Sequence, residues 1–121
     1  MDYFWTLEIP TTATEAEPYF KDSLLPPGRI TEVRVIFIPG SSGTAKCRIK
    51  HNERVIYPTN PDEWYSGDDI MIEFADNYPL PDAQNKIILE GYNDSIKYLH
   101  RVFVGLTVKP LSDVLYPTFF S

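Results

Sequence analysis

The side chains best suited to metal binding or base catalysis are two histidines, His51 and His100. A metal site of the kind found in many barrel-like β folds needs two or three histidines and a carboxylate that converge. His51 falls in a predicted hairpin turn, whereas His100 lies on a predicted strand, on the face opposite Arg101. Because the pattern does not bring the two together, we predict no histidine metal site and no cofactor.

Nucleophilic catalysis would require a Ser, Thr or Cys beside a His and an orienting acid. Cys47 is the only cysteine, which excludes an intrachain disulfide, and it lies on the apolar side of an alternating segment. That position indicates an inert core thiol. The sequence contains no Gly-x-Ser-x-Gly motif, and no pattern identifies a pair of glycosidase carboxylates. We therefore predict that the protein is not an enzyme.

Acidic residues are concentrated in and after a long predicted loop, residues 58–69. Calcium takes six to eight oxygen ligands, so Asp62, Asp68 and Asp69 are weak candidates for a calcium site. Their spacing matches no EF-hand. Solvation of the loop and turn formation by aspartate explain the same residues more simply, and we predict no metal.

Three cations form a basic stripe on an otherwise acidic protein. Lys46, Arg48 and Lys50 alternate with apolar residues over residues 45–50, so they share the outward face of a predicted strand. One interpretation is a charged, solvent-facing edge that hinders aggregation. The other is a contact patch for an acidic surface, such as the acidic loop of a neighbouring copy.

Bulky apolar side chains at both termini and in the long loop do not fit a self-contained sandwich. Three consecutive aromatics near the N-terminus cannot all face one core, and an apolar tail should pack on its own domain or on a neighbour. The loop aromatics suit sugar stacking, protein contact or packing onto the core. The predicted partner-binding residues are Tyr3, Phe4, Trp5, Trp64, Tyr65, Leu115, Tyr116, Phe119 and Phe120.

Short strands must position these side chains. Eleven prolines and six glycines divide the chain into runs that alternate between apolar and polar residues with period two. In the strongest run, 30–38, Ile36 and Ile38 point away from Val33, Val35 and Phe37, which indicates a central strand partly covered on both faces. Strands are predicted at 3–9, 24–25, 30–38, 45–50, 54–57, 70–74, 87–92 and 99–109, with loops at 11–17, 58–69 and 76–85.

The fold class that follows is all-β, an antiparallel β-sandwich of about eight strands, jelly-roll or Greek-key-like. We predict a single domain over residues 1–121, with an N-terminal strand or arm at 1–9 and an apolar C-terminal tail at 110–121. The net charge of −6 argues against nucleic acid and anionic membrane surfaces as partners. The sequence has no signal-peptide pattern and no apolar run of membrane-spanning length, so we expect a soluble protein made in the cytoplasm.

The predicted strands follow one another in the order WTLEIP, PPGRITEVRVIFIPG, CRIKHNERVIYPTNP, EWYSGDDIMIEF, KIILEGYND and LHRVFVGLTV, over residues 3–109. This order resembles small β-sandwich structural proteins of tailed phages and related viruses, especially those that decorate or cement capsids. The resemblance implies a non-enzymatic virion protein, made in the host cytoplasm, that forms homo-oligomers, with trimers favoured. It also implies docking on a capsid or other protein assembly through terminal arms.

The alternative function is a carbohydrate- or receptor-binding module. In that case Trp64, Tyr65 and Tyr92 would form a stacking platform, and a glycan would be the partner.

Overall fold

A computed structural model describes residues 1–40, 43–60, 62–94 and 98–110 of the chain. These residues form strands and connecting segments, without a helix. The strands are β1 (Asp2–Ile9), β2 (Tyr19–Leu25), β3 (Gly28–Phe37), β4 (Ala45–His51), β5 (Arg54–Tyr57), β6 (Tyr65–Ser66), β7 (Ile70–Leu80), β8 (Asn85–Asn93) and β9 (His100–Pro110).

The strands form two antiparallel sheets. Sheet A has the order β1-β9-β3-β7, and sheet B has the order β2-β8-β4-β5, with the short β6 paired to β4. When β6 is set aside, the first strand pairs with the last, the second with the second-last, and so on inward. This nested pairing is the topology of a jelly roll. The all-β sandwich predicted from the sequence is therefore confirmed.

The core lies between the two sheets because each strand turns its alternate residues inward. On β3, Val33, Val35 and Phe37 are buried, and β3 lies between β9 and β7 as a central strand should. At Gly91 the sheets come so close that an added Cβ would lie 2.6 Å from Cδ1 of Ile9. Side chains therefore fill the space between the described strands.

Buried asparagines fasten the loops at the two ends of β8. Asn85 Nδ2 donates to the carbonyl oxygens of Leu25, at 3.3 Å, and Asp82, at 2.8 Å. At the other end, Asn93 Nδ2 donates to the carbonyls of Ile9, at 3.3 Å, and Tyr98, at 2.8 Å. Each amide thus links a strand end, at Leu25 or Ile9, to the loop beside it.

Three strand predictions differ from the structure. β2 begins at Tyr19 rather than residue 24, and the sequence pattern missed its first part because Lys21 and Ser23, which face β1, are polar. Trp5 Nε1 donates to Ser23 Oγ at 3.0 Å, and Lys21 Nζ donates to the Thr6 carbonyl at 3.0 Å. β7 continues to Leu80, so the predicted loop at 76–85 is wrong over its first half. β6 was not predicted, because two residues are too few to show alternation.

No helix in the described ranges is long and apolar enough to cross a membrane.

Candidate functional site

His51 is the last residue of β4 rather than part of the hairpin turn, so that prediction is wrong. Its side chain is buried, and both ring nitrogens have polar partners. Its Nδ1 lies 2.9 Å from the Tyr78 hydroxyl, and its Nε2 lies 3.0 Å from Asn85 Oδ1. Because the Asn85 amide nitrogen already donates to two carbonyls, its oxygen must accept from His51. The imidazole ring thus bridges Tyr78 on β7 and Asn85 on β8.

A groove runs beside this histidine along the open side of the sandwich, between β5 and β7. Its cavity of about 570 Å³ is lined by His51, residues 52–54, Tyr78 and two prolines. The Tyr57 hydroxyl donates to Asp76 in the adjoining cavity. Burial, reinforced by Asp76, raises the Tyr57 pKa, so the phenol stays protonated as the donor. These contacts hold β5 against β7 at this edge.

Cys47 lies on the inner face of β4 with no exposed surface. Burial raises the pKa of its thiol to about 12, so it carries no thiolate at neutral pH. The prediction that Cys47 lies in the core is therefore confirmed.

The weak calcium candidates each take part in local loop structure. Asp68 Oδ1 accepts from the Gly40 amide at 2.7 Å, and the Asp62 amide donates to Asn60 Oδ1 at 3.2 Å. Asp69 has a positive φ of 50°, which aspartate tolerates in turns. Across the described ranges, no three His, Cys, Asp or Glu side chains come together in a way that could hold a metal ion.

The basic stripe lies on an interior strand, not at an edge, because β4 has β8 on one side and β5 and β6 on the other. The predicted edge position is therefore wrong. Arg48 pairs with Glu90 at 2.7 Å, and Lys50 lies 3.8 Å from the same carboxylate. Two cations of the stripe are thus partnered within sheet B. Contact of Lys46, Arg48 and Lys50 with an acidic partner stays a prediction.

The loop aromatics pack onto the protein itself. The Arg48 guanidinium lies 4.0 Å from the Trp64 ring centroid, and the Tyr92 ring meets Trp64 edge-on at 4.8 Å. Arg48 therefore covers one face of the Trp64 indole. Tyr65 is the cross-strand partner of Cys47, and burial raises the pKa of the Tyr65 hydroxyl to about 12. The sugar-stacking function of Trp64, Tyr65 and Tyr92 stays a prediction.

The N-terminal aromatics divide between the two faces of β1, as their spacing requires. Tyr3 and Trp5 stack on the inner side with ring centroids 6.0 Å apart, whereas Phe4 points outward and is 60 % exposed. β1 pairs with β9 from Asp2 to Ile9. The described N-terminal residues thus form a strand of the sandwich rather than a free arm. The predicted tail residues Leu115, Tyr116, Phe119 and Phe120 lie outside the described residues.

The outer face of sheet A carries a continuous row of side chains that crosses all four strands. Phe103 is the cross-strand partner of both Thr6 and Ile36, and Ile36 is the partner of Met71. We call Thr6, Phe103, Ile36 and Met71 the outer row. Met71 is 53 % exposed, and the other three are half-buried. Phe4 adjoins the row, with its ring against Gly105.

Ion pairs border the outer row on both sides. On one side Arg34 lies 2.6 Å from Glu32 and 3.6 Å from Glu73. On the other, Arg101 lies 3.2 Å from Glu8. A row with three apolar members, Phe103, Ile36 and Met71, bordered by charges is typical of a contact surface. The sequence pattern identified Ile36 as outward-facing but could not place Phe103 or Met71 beside it.

Comparison of the chain with protein-family models and with curated proteins finds no match.

Proposed function

We propose that this protein is a non-enzymatic structural module of a virion, a capsid decoration or head-associated protein. It acts by associating with copies of itself and by docking on a protein shell. The proposal adopts the homo-oligomer that the sequence resemblance implies, with a trimer favoured.

The observation that carries the proposal is the outer row. Burying Ile36, Met71 and Phe103 against another protein would remove apolar surface from water, at about 25 cal/mol per Å². Scattered single apolar residues on a surface need no partner, but a row that joins four strands and is framed by ion pairs is a candidate contact.

The rest of the sandwich supports an assembly role. Jelly rolls serve as shell-forming domains in viral capsids, among other uses. Three of the buried polar residues, His51, Asn85 and Asn93, form hydrogen bonds that connect strands and loops. A sandwich with the outer row on one face is suited to pack against neighbouring proteins.

Self-association is tested on the full chain by analytical ultracentrifugation and native mass spectrometry, from about 1 to about 100 µM. We expect a species at a multiple of 13.9 kDa that grows with concentration. A chain that stays at 13.9 kDa throughout would contradict the self-association half of the proposal.

The virion half is tested on the coding sequence and on particles. We expect neighbouring genes for capsid, portal or tail proteins, and we expect purified particles to contain this protein in many copies. A neighbourhood without virion genes, or particles that lack the protein, would contradict a virion role.

A further inference from the structure

We propose that the outer row is the docking site for residues 111–121 of a second copy of this chain. This inference rests on the self-association proposed above and names the surface and the segment that produce it. Three observations carry it: the size of the row, the composition of the segment, and the place where β9 ends.

The size of the outer row matches a short extended peptide. Four strands at a spacing of about 4.8 Å give a row about 14 Å long. An extended chain covers this length with four or five residues, at about 3.4 Å per residue. The charges at Arg34 and Arg101 keep the apolar strip narrow, with Phe4 as its adjoining aromatic.

A second sandwich packed flat on this face would meet those charges. Stable protein–protein interfaces bury about 1,200–2,000 Å² in total, with a mostly apolar centre. A single row flanked by Arg34–Glu73 and Arg101–Glu8 pairs supplies a much narrower apolar strip. A peptide therefore fits the surface better than a second sheet.

The segment that follows β9 has the composition that the outer row requires. Over residues 111–121 the sequence reads LSDVLYPTFFS, with Asp113 as its single charged residue. Tyr116, Phe119 and Phe120 fall within one run of five residues, the length that spans the row. Aromatic anchors of this kind dominate the energy of many interfaces.

The position of Pro110 favours a neighbour's segment over the chain's own. Phe103 lies seven residues before Pro110 on β9, about 24 Å along the strand. A segment that doubled back would use about seven residues to return, so only Phe119 and Phe120 would reach the row. Leu115 and Tyr116 would fall short of the row, beside Gly105 and its ion-paired cross-strand neighbour Arg34.

A segment from another copy is free of this constraint and can place its whole aromatic run on the row. Each copy then offers one segment and one row. Such head-to-tail contacts close into a ring when the rotation between copies permits it, which is compatible with a trimer.

The test is complementation between two full-length variants. In the tail variant, Leu115→Asp, Phe119→Asp and Phe120→Asp remove the anchors and leave the row intact. In the row variant, Ile36→Lys disrupts the row and leaves the tail intact. We expect each variant alone to associate at least about a hundredfold more weakly than the natural chain.

Mixing the two variants restores one productive contact, the tail of the row variant on the row of the tail variant. We expect a 1:1 heterodimer of twice 13.9 kDa in native mass spectrometry, with the variants distinguished by isotope labelling. Monomers only in the mixture would overturn the inference. Assembly of either variant alone, as strong as that of the natural chain, would overturn it too, while leaving self-association in place.

Two controls keep the result interpretable. Met71→Lys changes the row at a residue that is already 53 % exposed, so the variant should fold normally. In the mixing experiment it should give the same result as Ile36→Lys. Phe20→Lys changes an equally exposed apolar residue on sheet B, 61 % exposed, and should leave association unchanged. Loss of association with Phe20→Lys, but not with Met71→Lys, would assign the contact to the other sheet and overturn the inference.

Discussion

The outer faces of the two sheets differ in how their apolar and charged residues are arranged. On sheet A, apolar side chains join into the outer row, and the ion pairs lie beside it. On sheet B, Phe20 and Leu24 are exposed, but Phe20 lies opposite Glu90, and the Asp22–Lys86 pair separates the two. The charged residues of sheet B are also drawn into contacts with each other and with Trp64.

This difference indicates that the two outer faces contribute to different properties, sheet B to stability and sheet A to association. On sheet B, Arg48 pairs with Glu90 and covers Trp64, and the exposed Phe20 and Leu24 are kept apart by charges. Sheet A leaves apolar surface in water that its own described side chains do not bury. Substitutions of the paired residues of sheet B, such as Arg48, should therefore change stability, whereas substitutions in the outer row should change association.

The two interior glycines of the strands offer the largest contrast. At Gly91 an added Cβ would meet buried Ile9 at 2.6 Å and the Lys46 carbonyl oxygen at 3.1 Å. We expect Gly91→Ala to lower the free energy of unfolding by about 1–3 kcal/mol, since a packed core cannot yield. Urea denaturation measures the change.

The matched control is Gly105→Ala on the outer face of sheet A. Its added Cβ would lie 2.7 Å from Cε1 of Phe4, but that ring is 60 % exposed and can swing away. We expect a change within about 0.5 kcal/mol. A cost at Gly105 equal to that at Gly91 would show that Phe4 is held as firmly as the core, contrary to our account.

The second contrast concerns the arginines of the two faces. Arg48→Met removes a partly buried pair with Glu90 and the contact with Trp64, and we expect a loss of about 1–2 kcal/mol. Arg34→Met removes pairs that are more exposed, and we expect less than about 0.5 kcal/mol. Both are measured by urea denaturation at low and high salt. Equal losses would remove the distinction between the faces.

The third prediction concerns pH and the inner face of β4. The Cys47 thiol has its pKa raised from 9.0 to about 12 by burial, so folding favours the protonated form. The stabilisation is complete below about pH 9 and is lost as the pH rises toward 12. Between about pH 9 and about pH 10, Cys47 alone should lower the free energy of unfolding by about 1 kcal/mol.

Cys47→Ala removes this titrating group. Between about pH 9 and about pH 10 the free energy of unfolding of the variant should therefore fall by about 1 kcal/mol less than that of the natural chain. Buried tyrosines such as Tyr65 still contribute to the decrease in both proteins. Chemical denaturation across the pH range is the measurement. If the free energy of unfolding of Cys47→Ala falls with pH as steeply as that of the natural chain, the thiol does not titrate only on unfolding, contrary to our account. Arg48→Met, one residue away but on the outer face, should leave the slope unchanged.

Much of the fold could be predicted from the sequence because it depends on local alternation. The hairpin of β4 and β5 was predicted with its bounds nearly correct, since Asn52 supplies the turn with a positive φ of 57°. The first five residues of β2 and the second half of β7 were missed because their residues interact across the open edges of the sandwich. From the sequence alone Ser23 is typical of a loop; its place on a strand is explained by the hydrogen bond that it accepts from Trp5 on β1.

The candidate contact surface was harder to predict than the fold. The sequence identified the aromatics at the N-terminus and in the loop, yet Trp5 and Trp64 turned out to pack within the domain. The outer row combines residues from β1, β3, β7 and β9, and only the strand order brings them together. Strand order depends on pairing across the whole chain, which period-two alternation does not encode.

The central claim is that sheet A, not sheet B, is the face through which copies associate. The most direct test compares the native mass of Met71→Lys and Phe20→Lys at matched concentration, because the two residues are 53 % and 61 % exposed on edge strands of opposite sheets. Each substitution should change the free energy of unfolding by no more than about 0.5 kcal/mol. We predict that Met71→Lys is found at 13.9 kDa while Phe20→Lys keeps the mass of the natural assembly. The reverse result, or equal masses for both variants, would contradict the claim.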